Sequence, residues 1–490
     1  MSLSSAINTA QASLSNTATQ TSVISRNISN ASNPDYARRS AILSSTLVGA
    51  NIVTTQRAHN DPLFREGLSS LASASGQQAL LEGLEALKAL YGGNDYESAP
   101  ATLLANLRDT LATYSVKPSE STLAETAIAE AGQLAAGLRS TSLAVQDMRL
   151  SADQEISRQV NDLNDLLSQF QKINDAVVRG TASGDNINAE LDQRDKLLKQ
   201  ISGIIGVNAV TRNDNDVALY TTDGATLFEK VPRPVTFQKS TGFSATLAGN
   251  SVYVDGVPLQ PGQGATTTAT GTLQAQLQIR DDYAPAMQRQ LDEVARALVI
   301  TFAEKDRTAT PTLPDMPGLF VWSDGGVPGG VPAAGTLVPG LASTITVNTA
   351  LITAQGGNPS LLRDGGINGA AYGANTTGGG SFSDLLDGYV TAMDEPMAFD
   401  VAAGLGPSAS LSRFATDSVG WLELNRSDAF HAAESREAKR FRVMEAHSNS
   451  TGVSLDEEMS MLLELEQSYK ASARLIAAVD EMLRTLLAVA

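Results

Sequence analysis

Cysteine is absent from the 490 residues, so no disulfide, thiolate nucleophile or cysteine-ligated zinc can form. Histidine is nearly absent: His59, His431 and His447 are scattered, and the last two lie 16 apart, which is not a metal-ligand spacing. No metal and no cofactor is expected. No run reaches the ~18 apolar residues of a membrane span, so no membrane insertion is expected. The opening 25 residues have neither a basic n-region nor an apolar h-region, which points to a cytoplasmic chain or to export without a cleaved signal peptide. Basic charge is scarce, 35 Lys and Arg against 53 Asp and Glu; a net charge of −18 repels phosphate backbones and makes nucleic acid a poor partner. GxSxG, a Walker loop and a GxGxxG placed between strand and helix are also missing, so no catalytic residue is proposed. What remains, 42% hydrophobic and 18% charged, is ordinary globular composition in a chain long enough for roughly two to four domains.

The chain does have two long helical patterns, one at each end. Leu3, Ile7, Ala10, Leu14, Thr17, Thr21, Ile24 and Ile28 recur at alternating steps of four and three, the seam of a coiled coil. Fifteen of the first 25 residues are Ser, Thr, Asn or Gln, of ordinary or poor helix propensity, so this helix needs packing partners to form. Its other faces are small and uncharged up to Arg26, which lets further helices approach without burying ions. Pro34 disfavours helix at Asn33, and Asn33, Pro34, Asp35 and Tyr36 make a turn.

At the far end Ser454 and Glu457 form a capping box. Beyond it Leu455, Leu462, Tyr469, Ile476 and Leu483 recur at seven, with Met459, Leu465, Ala473, Val479 and Leu486 between them. The acids Asp456, Glu457 and Glu458 suit a helix N-terminus. Residues 1–60 hold four arginines and one acid, and residues 451–490 hold seven acids and three bases, so the two ends attract. At ~1.5 Å per residue each helix is roughly 40 to 50 Å long, more than is needed to close off a globular domain.

Between the ends, apolar residues at three- and four-residue steps predict helices across 61–115, and a longer seam at Ile156, Val160, Leu163, Leu167, Phe170 and Val177 ends at Gly180. Near residue 206 the pattern changes to short β-rich pieces, with Asp223-Gly224 and Asp255-Gly256 as hairpin turns. Helix returns at about 277–305. Residues 325–380 contain 15 of the 40 glycines and two charges, Arg363 and Asp364, which predicts loops and short strands without a rigid core. The carboxylates of LDQRDK, Asp192 and Asp195, read as a solvated, salt-bridged helix face.

The expected fold is α+β and multidomain. Long N- and C-terminal helices pair in a coiled-coil stalk, below an α-helical rod domain with a β-rich outer lobe inserted in the middle. The expected boundaries are 1–30 for the N-terminal assembly helix, 31–205 and 381–453 for the two parts of the rod domain, 206–380 for the lobe with helix 277–305 on the rod, and 454–490 for the C-terminal assembly helix.

NTAQASLSNTATQTSVISRNISNASNPDYARRS resembles the start shared by bacterial flagellar axial proteins, and GVSLDEEMSMLLELEQSYKASARLIAAVDEMLRTLL resembles their matching end. LDQRDKLLKQIS at 191–202 and NPSLLRDGG at 358–366 are similar to the flagellar hook-associated protein 1 family. One departure is Asp35, where the family usually has Gly after the Pro of the turn, which favours a type I turn over type II. The resemblance implies a structural, non-enzymatic subunit of an adapter ring at the junction of hook and filament. Its implied partners are copies of itself, hook protein, the next junction protein toward the filament, the type III export apparatus and a cytosolic chaperone that covers the C-terminal helix before export. It also implies an extracellular location in the flagellum. The assembly interface is then expected at Leu3, Ile7, Ala10, Leu14, Ile24 and Ile28 with Leu455, Met459, Leu462, Tyr469, Ile476 and Leu483. Competing readings are another axial protein of hook or distal rod, a secreted wall hydrolase, and an adhesin.

Overall fold

The structure, a computed structural model, describes residues 3–46 and 49–489. Helix α1 (Leu3–Ser29) leads into a turn at Asn33-Pro34-Asp35-Tyr36, where the Tyr36 N–H donates to the Asn33 carbonyl at 3.1 Å and Asn33 Oδ1 accepts from the Asp35 N–H at 3.1 Å. An antiparallel hairpin follows, β1 (Arg39–Thr46) with β2 (Gly49–Arg57), and it lies along α1, whose Asn16 Oδ1 accepts from the Ile52 N–H at 3.2 Å. This hairpin differs from the helical rod domain expected to begin at residue 31. The β-branched residues Ile42, Ile52, Thr54 and Thr55 favour strand, and α1 offers a surface on which a two-stranded ribbon can rest.

The rod is built from α2 (Asp61–Ala89), α3 (Pro100–Val116), α4 (Ser121–Ser183) and α5 (Asn188–Ile204). Helix α4 is long enough to serve two apolar cores. Its first half, including Leu134, Leu138 and Val145, packs with Leu84, Leu87, Leu107 and Leu111. Its second half, including Ile156, Leu163 and Phe170, packs with α5 and a three-stranded sheet of β3 (Val207–Thr211), β4 (Val217–Thr221) and β5 (Thr226–Phe228). There Phe170 meets Phe228 edge to face, with ring centroids 5.1 Å apart. A second small sheet joins β6 (Val235–Thr236), β7 (Tyr253–Val254) and β8 (Val257–Pro258), turning at Asp255-Gly256 with both residues at positive φ.

A buried polar layer separates the two cores. Arg280 and Asp153, both with no exposed side-chain surface, pair at 2.7 Å, while Arg149 donates to the carbonyls of Arg280, Ser244 and Leu247. These charges are tolerable inside because carboxylate and carbonyl partners surround them.

Helix α6 (Thr272–Gln278) passes through a π-turn at Ile279–Tyr283 into α7 (Ala284–Thr301), so the central helix starts and stops about five residues earlier than expected at 277–305. Two other expectations are corrected. Gly180 lies inside α4, where an added Cβ would come within 2.4 Å of Ile187, and the helix ends at Gly184, whose φ is 76°. Gly180 thus serves close packing, and the left-handed cap falls one turn later. The glycine-rich stretch 325–380 is irregular, but Leu341, Ala342, Ile345, Leu351 and Leu362 are fully or almost fully buried in the first core. Few charges and many glycines let that backbone hug α4 and α7 as a cover, so low regularity there does not mean low burial.

The chain returns through the short α8 (Leu361–Asp364) and α9 (Asp384–Ala392) to α10 (Leu411–Thr451), which packs along α2, and ends in α11 (Leu455–Val489). Ser410 caps α10 by accepting from the Arg413 N–H at 3.2 Å, and Ser454 Oγ accepts from the Glu457 N–H at 3.4 Å. Helix α11 packs against α1, bringing the two ends of the chain together as a two-helix stalk. Among the described residues no helix is long and apolar enough to cross a membrane.

Candidate functional site

Small polar residues dominate α1, so what joins the stalk at its base is a set of hydrogen bonds rather than a large apolar cluster. Glu458, one turn into α11, is 1% exposed. One carboxylate oxygen accepts from Arg38 Nε at 2.6 Å and the other from Asn27 Nδ2 at 3.0 Å. Asn27 is equally buried and uses its remaining capacity on the start of β1: Nδ2 donates to the Arg39 carbonyl at 2.9 Å, and Oδ1 accepts from the Arg39 N–H at 3.1 Å and the Tyr36 hydroxyl at 2.8 Å. Burial pushes the Tyr36 phenol up, which keeps it a protonated donor. The Arg38 N–H donates to the Thr451 carbonyl at 2.8 Å, so the same few residues hold α1, the turn, α10 and α11.

The helices run antiparallel, with Ser13 Oγ 2.8 Å from Ser472 Oγ further up the stalk. On α1, Ala10, Thr17, Ile24 and Asn27 are buried, Ile7, Leu14 and Ile28 are half-buried, and the Leu3 side chain lies outside the described residues. On α11 the inward-facing row is Glu458, Leu462, Leu465, Ser472, Ile476, Val479 and Leu483, all buried or half-buried. Leu455 and Met459, read from the sequence as members of the same row, are 51% and 48% exposed, and Tyr469 is 52% exposed at the edge of the seam. The phase differs because Glu458, and not Met459, takes the inward position in the first turn. Thr17, Ala18 and Thr21 face Leu462, Leu465, Glu466 and Tyr469 across an open groove of about 440 Å³. Asn33 and Pro34 of the turn are exposed, and Asp35 and Tyr36 are half-buried.

A second cluster ties the hairpin to the rod, and it uses the LDQRDK segment. Asp192 accepts from Arg39 at 3.1 Å and from Arg57 Nε at 2.6 Å, and Arg57 also pairs with Asp195. Lys199 reaches Asp35 of the turn at 3.1 Å. Arg194, between the two acids, points inward to the Asn215 carbonyl at 2.5 Å and to Asn174 Oδ1 at 3.2 Å. These carboxylates, with only about an eighth of their side-chain surface exposed, are therefore not a solvated face. Sequence reasoning missed this because their partners lie 135 to 153 residues away, and a single sequence carries no record of that pairing. The available signal was the surplus of arginine in residues 26–57, four in an otherwise uncharged stretch apart from Asp35.

His447 packs against Phe64 beside this cluster, with ring centroids 5.8 Å apart. Burial, then the positive charges of Lys199, Arg57 and His59, partly countered by Asp195, hold its pKa below the ordinary 6.5. Around and below that value the unfolded chain takes up a proton that the folded chain resists. The contribution to stability is therefore present above pH 6.5 and is lost as pH falls through the folded-state pKa. Thermal melts across this window are expected to show a falling Tm on acidification, with that part of the fall flattened in His447→Gln. Among the described residues no group of three His, Asp or Glu is placed to hold a metal ion.

Residues 93–311 match the family model for the flagellar hook-associated protein FlgK helical domain, and residues 445–489 match the model for the flagellar basal body rod FlgEFG protein C-terminal region. A relative, flagellar hook-associated protein 1 of Bacillus subtilis (strain 168), is 23% identical over 351 residues, covering 67% of this chain and 64% of the relative. The flagellar hook junction protein FlgK of Burkholderia pseudomallei is a structural neighbour with a TM-score of 0.42 and 19% identity, covering 53% of this chain and 47% of that one. The chain thus spans less than two thirds of either relative's own length. The first family model falls on α3 to α7 with the two small sheets between them, the second on the end of α10 and on α11, and over these stretches the chain is similar to flagellar hook-associated and basal body rod proteins.

Proposed function

We propose that this chain is a structural subunit of the bacterial flagellum, one of several copies forming an adapter ring between hook and filament, with terminal helices bundled inside and the β-bearing lobe outside. The observation that carries this reading is the stalk. Helix α11 gives one face to α1 and leaves Leu455, Met461, Leu463, Tyr469, Leu475 and Met482 more than 40% exposed on its others. A free helix with that much apolar surface is a liability, and neighbouring stalks would cover it. Each such side chain, once buried, contributes roughly 1.5 to 3 kcal/mol. The partners are copies of itself, hook protein and the next junction protein toward the filament.

The same surface supports export in an unfolded state through the type III apparatus, with a cytosolic chaperone covering α11 beforehand. The absence of disulfides suits such passage. Tyr469→Asp with Ile476→Asp is expected to abolish capture by the chaperone, and unchanged binding would refute that part of the reading.

The role is structural rather than catalytic. A hook or distal-rod subunit is the second reading, favoured by the match of residues 445–489 to the C-terminal model of flagellar basal body rod proteins; the helical-domain match at 93–311 supports the junction over it. A wall hydrolase would keep its activity without the stalk, and an adhesin would bind its ligand through the lobe alone. The experiment is complementation of a strain lacking this protein with chains deleted for 3–29 or 455–489. Filaments should not attach to the hook, and attached filaments in swimming cells would overturn the proposal.

A further inference from the structure

In a pair of helices, register is set by whichever contact cannot be remade one heptad away. Most of the stalk lacks such a contact. The α1 residues that face α11 include Ser13, Thr17, Ala18 and Thr21, and small side chains of this kind lose little when one heptad of α11 replaces the next. The polar contacts share one register: fourteen residues separate Ser13 from Asn27, and fourteen separate Glu458 from Ser472. Glu458 is different in kind. A slip of seven residues would take its buried carboxylate away from both Asn27 and Arg38, setting it opposite Gln20 in one direction, and in the other beyond the end of α1 with Leu465 opposite Asn27. An unpaired buried charge is far more costly than a mismatched methyl group.

We propose that Glu458, held by Asn27 and Arg38, is the positioning residue that fixes the register of α11 on α1. It thereby also sets the height at which the exposed Leu463, Tyr469 and Leu475 are presented to a neighbouring chain. Only that last step rests on the assembly reading; the register is a property of the single chain and stands whatever the stalk joins.

The cysteine-free sequence supplies a clean reporter. The two serine hydroxyls, 2.8 Å apart, place their β-carbons within reach of a disulfide. In the full-length chain, oxidised with copper phenanthroline, S13C/S472C should cross-link efficiently, while S13C/L465C and S13C/V479C, each one heptad out of register, should not. Adding Glu458→Leu, which removes the charge but keeps the helix, is expected to lower the S13C/S472C cross-link at least fivefold and to raise one of the out-of-register pairs by a comparable factor. Glu458→Gln, which can still meet Asn27, should fall between. The proposal is overturned if Glu458→Leu cross-links S13C/S472C as the parent does. It is equally overturned if the parent fails to cross-link, or if Glu458→Leu forms none of the three cross-links, which would make the residue a stabiliser of pairing and not its register.

Discussion

Ile24→Asp combined with Leu462→Asp is expected to part the terminal helices and abolish assembly while the rod stays folded. Ile24 is 3% exposed and Leu462 half-buried on the facing helix, so both substitutions put carboxylates into the seam. Loss of the two apolar contacts alone costs about 4 kcal/mol, which at about 1.4 kcal/mol per decade is close to a thousandfold in any equilibrium that requires the paired stalk. Charge repulsion adds to that. Helix α1 has little to fall back on, because its Ser, Thr and Asn residues give it weak helical preference once α11 is gone. The cores of the rod are separate from the seam and should melt at their usual temperature. Sedimentation and far-UV circular dichroism distinguish the outcomes: loss of higher-order species with a small loss of helicity and an unchanged main transition is expected. Assembly at the parent concentration would show that the seam does not drive it.

The same experiment bears on whether the free chain keeps its stalk. Hydrogen exchange on the parent should be fast across 3–29 and 455–489 and slow from α2 through the first half of α10, since stalk burial is one-sided and rod burial is not. Protection of the stalk equal to that of the rod would favour an ordinary globular helix pair.

Much of this architecture was legible because periodicity is a local property. Leu80, Leu84 and Leu87, or Ile156, Val160 and Leu163, mark buried helix faces without reference to the rest of the chain, and Asp255-Gly256 marks its hairpin for the same reason. Phase was less legible than period. Helix α11 is apolar on more than one side, so Leu455, Met459 and Leu463 compete with Leu462, Leu465 and Ile476 for the inner row. The residue that settles the matter is an acid, Glu458, which no hydrophobic pattern selects.

The hairpin at 39–57 was not legible because its strands mix Ser, Thr, Ala and Ile without a clean two-residue alternation. They find stability in contacts far along the chain, with Asn16 on one side and Asp192 and Asp195 on the other. The glycine-rich cover at 325–380 was misjudged for a related reason: burial of Leu341, Ile345 and Leu351 depends on α4 and α7 being present to receive them.

Arg57→Ala is expected to release the hairpin from the rod without dissolving the stalk. The Arg57 side chain is 9% exposed and bridges Asp192 and Asp195, leaving two mostly buried carboxylates when it is removed. Arg39 still reaches Asp192 at 3.1 Å, but Asp195 loses the arginine that pairs with it. Breaking such a pair from one side costs about 3 kcal/mol, more than a two-stranded ribbon resting on a single helix can absorb. Amide exchange across 39–57 should therefore accelerate by about a hundredfold, while Asn27 and Glu458 keep the base of α1 against α11. Arg57→Lys should restore only part of the protection, because an ammonium group is a single point charge and cannot offer two carboxylates the fork of a guanidinium. If both variants exchange like the parent, the ion cluster is incidental and the hairpin is held by its contacts with α1.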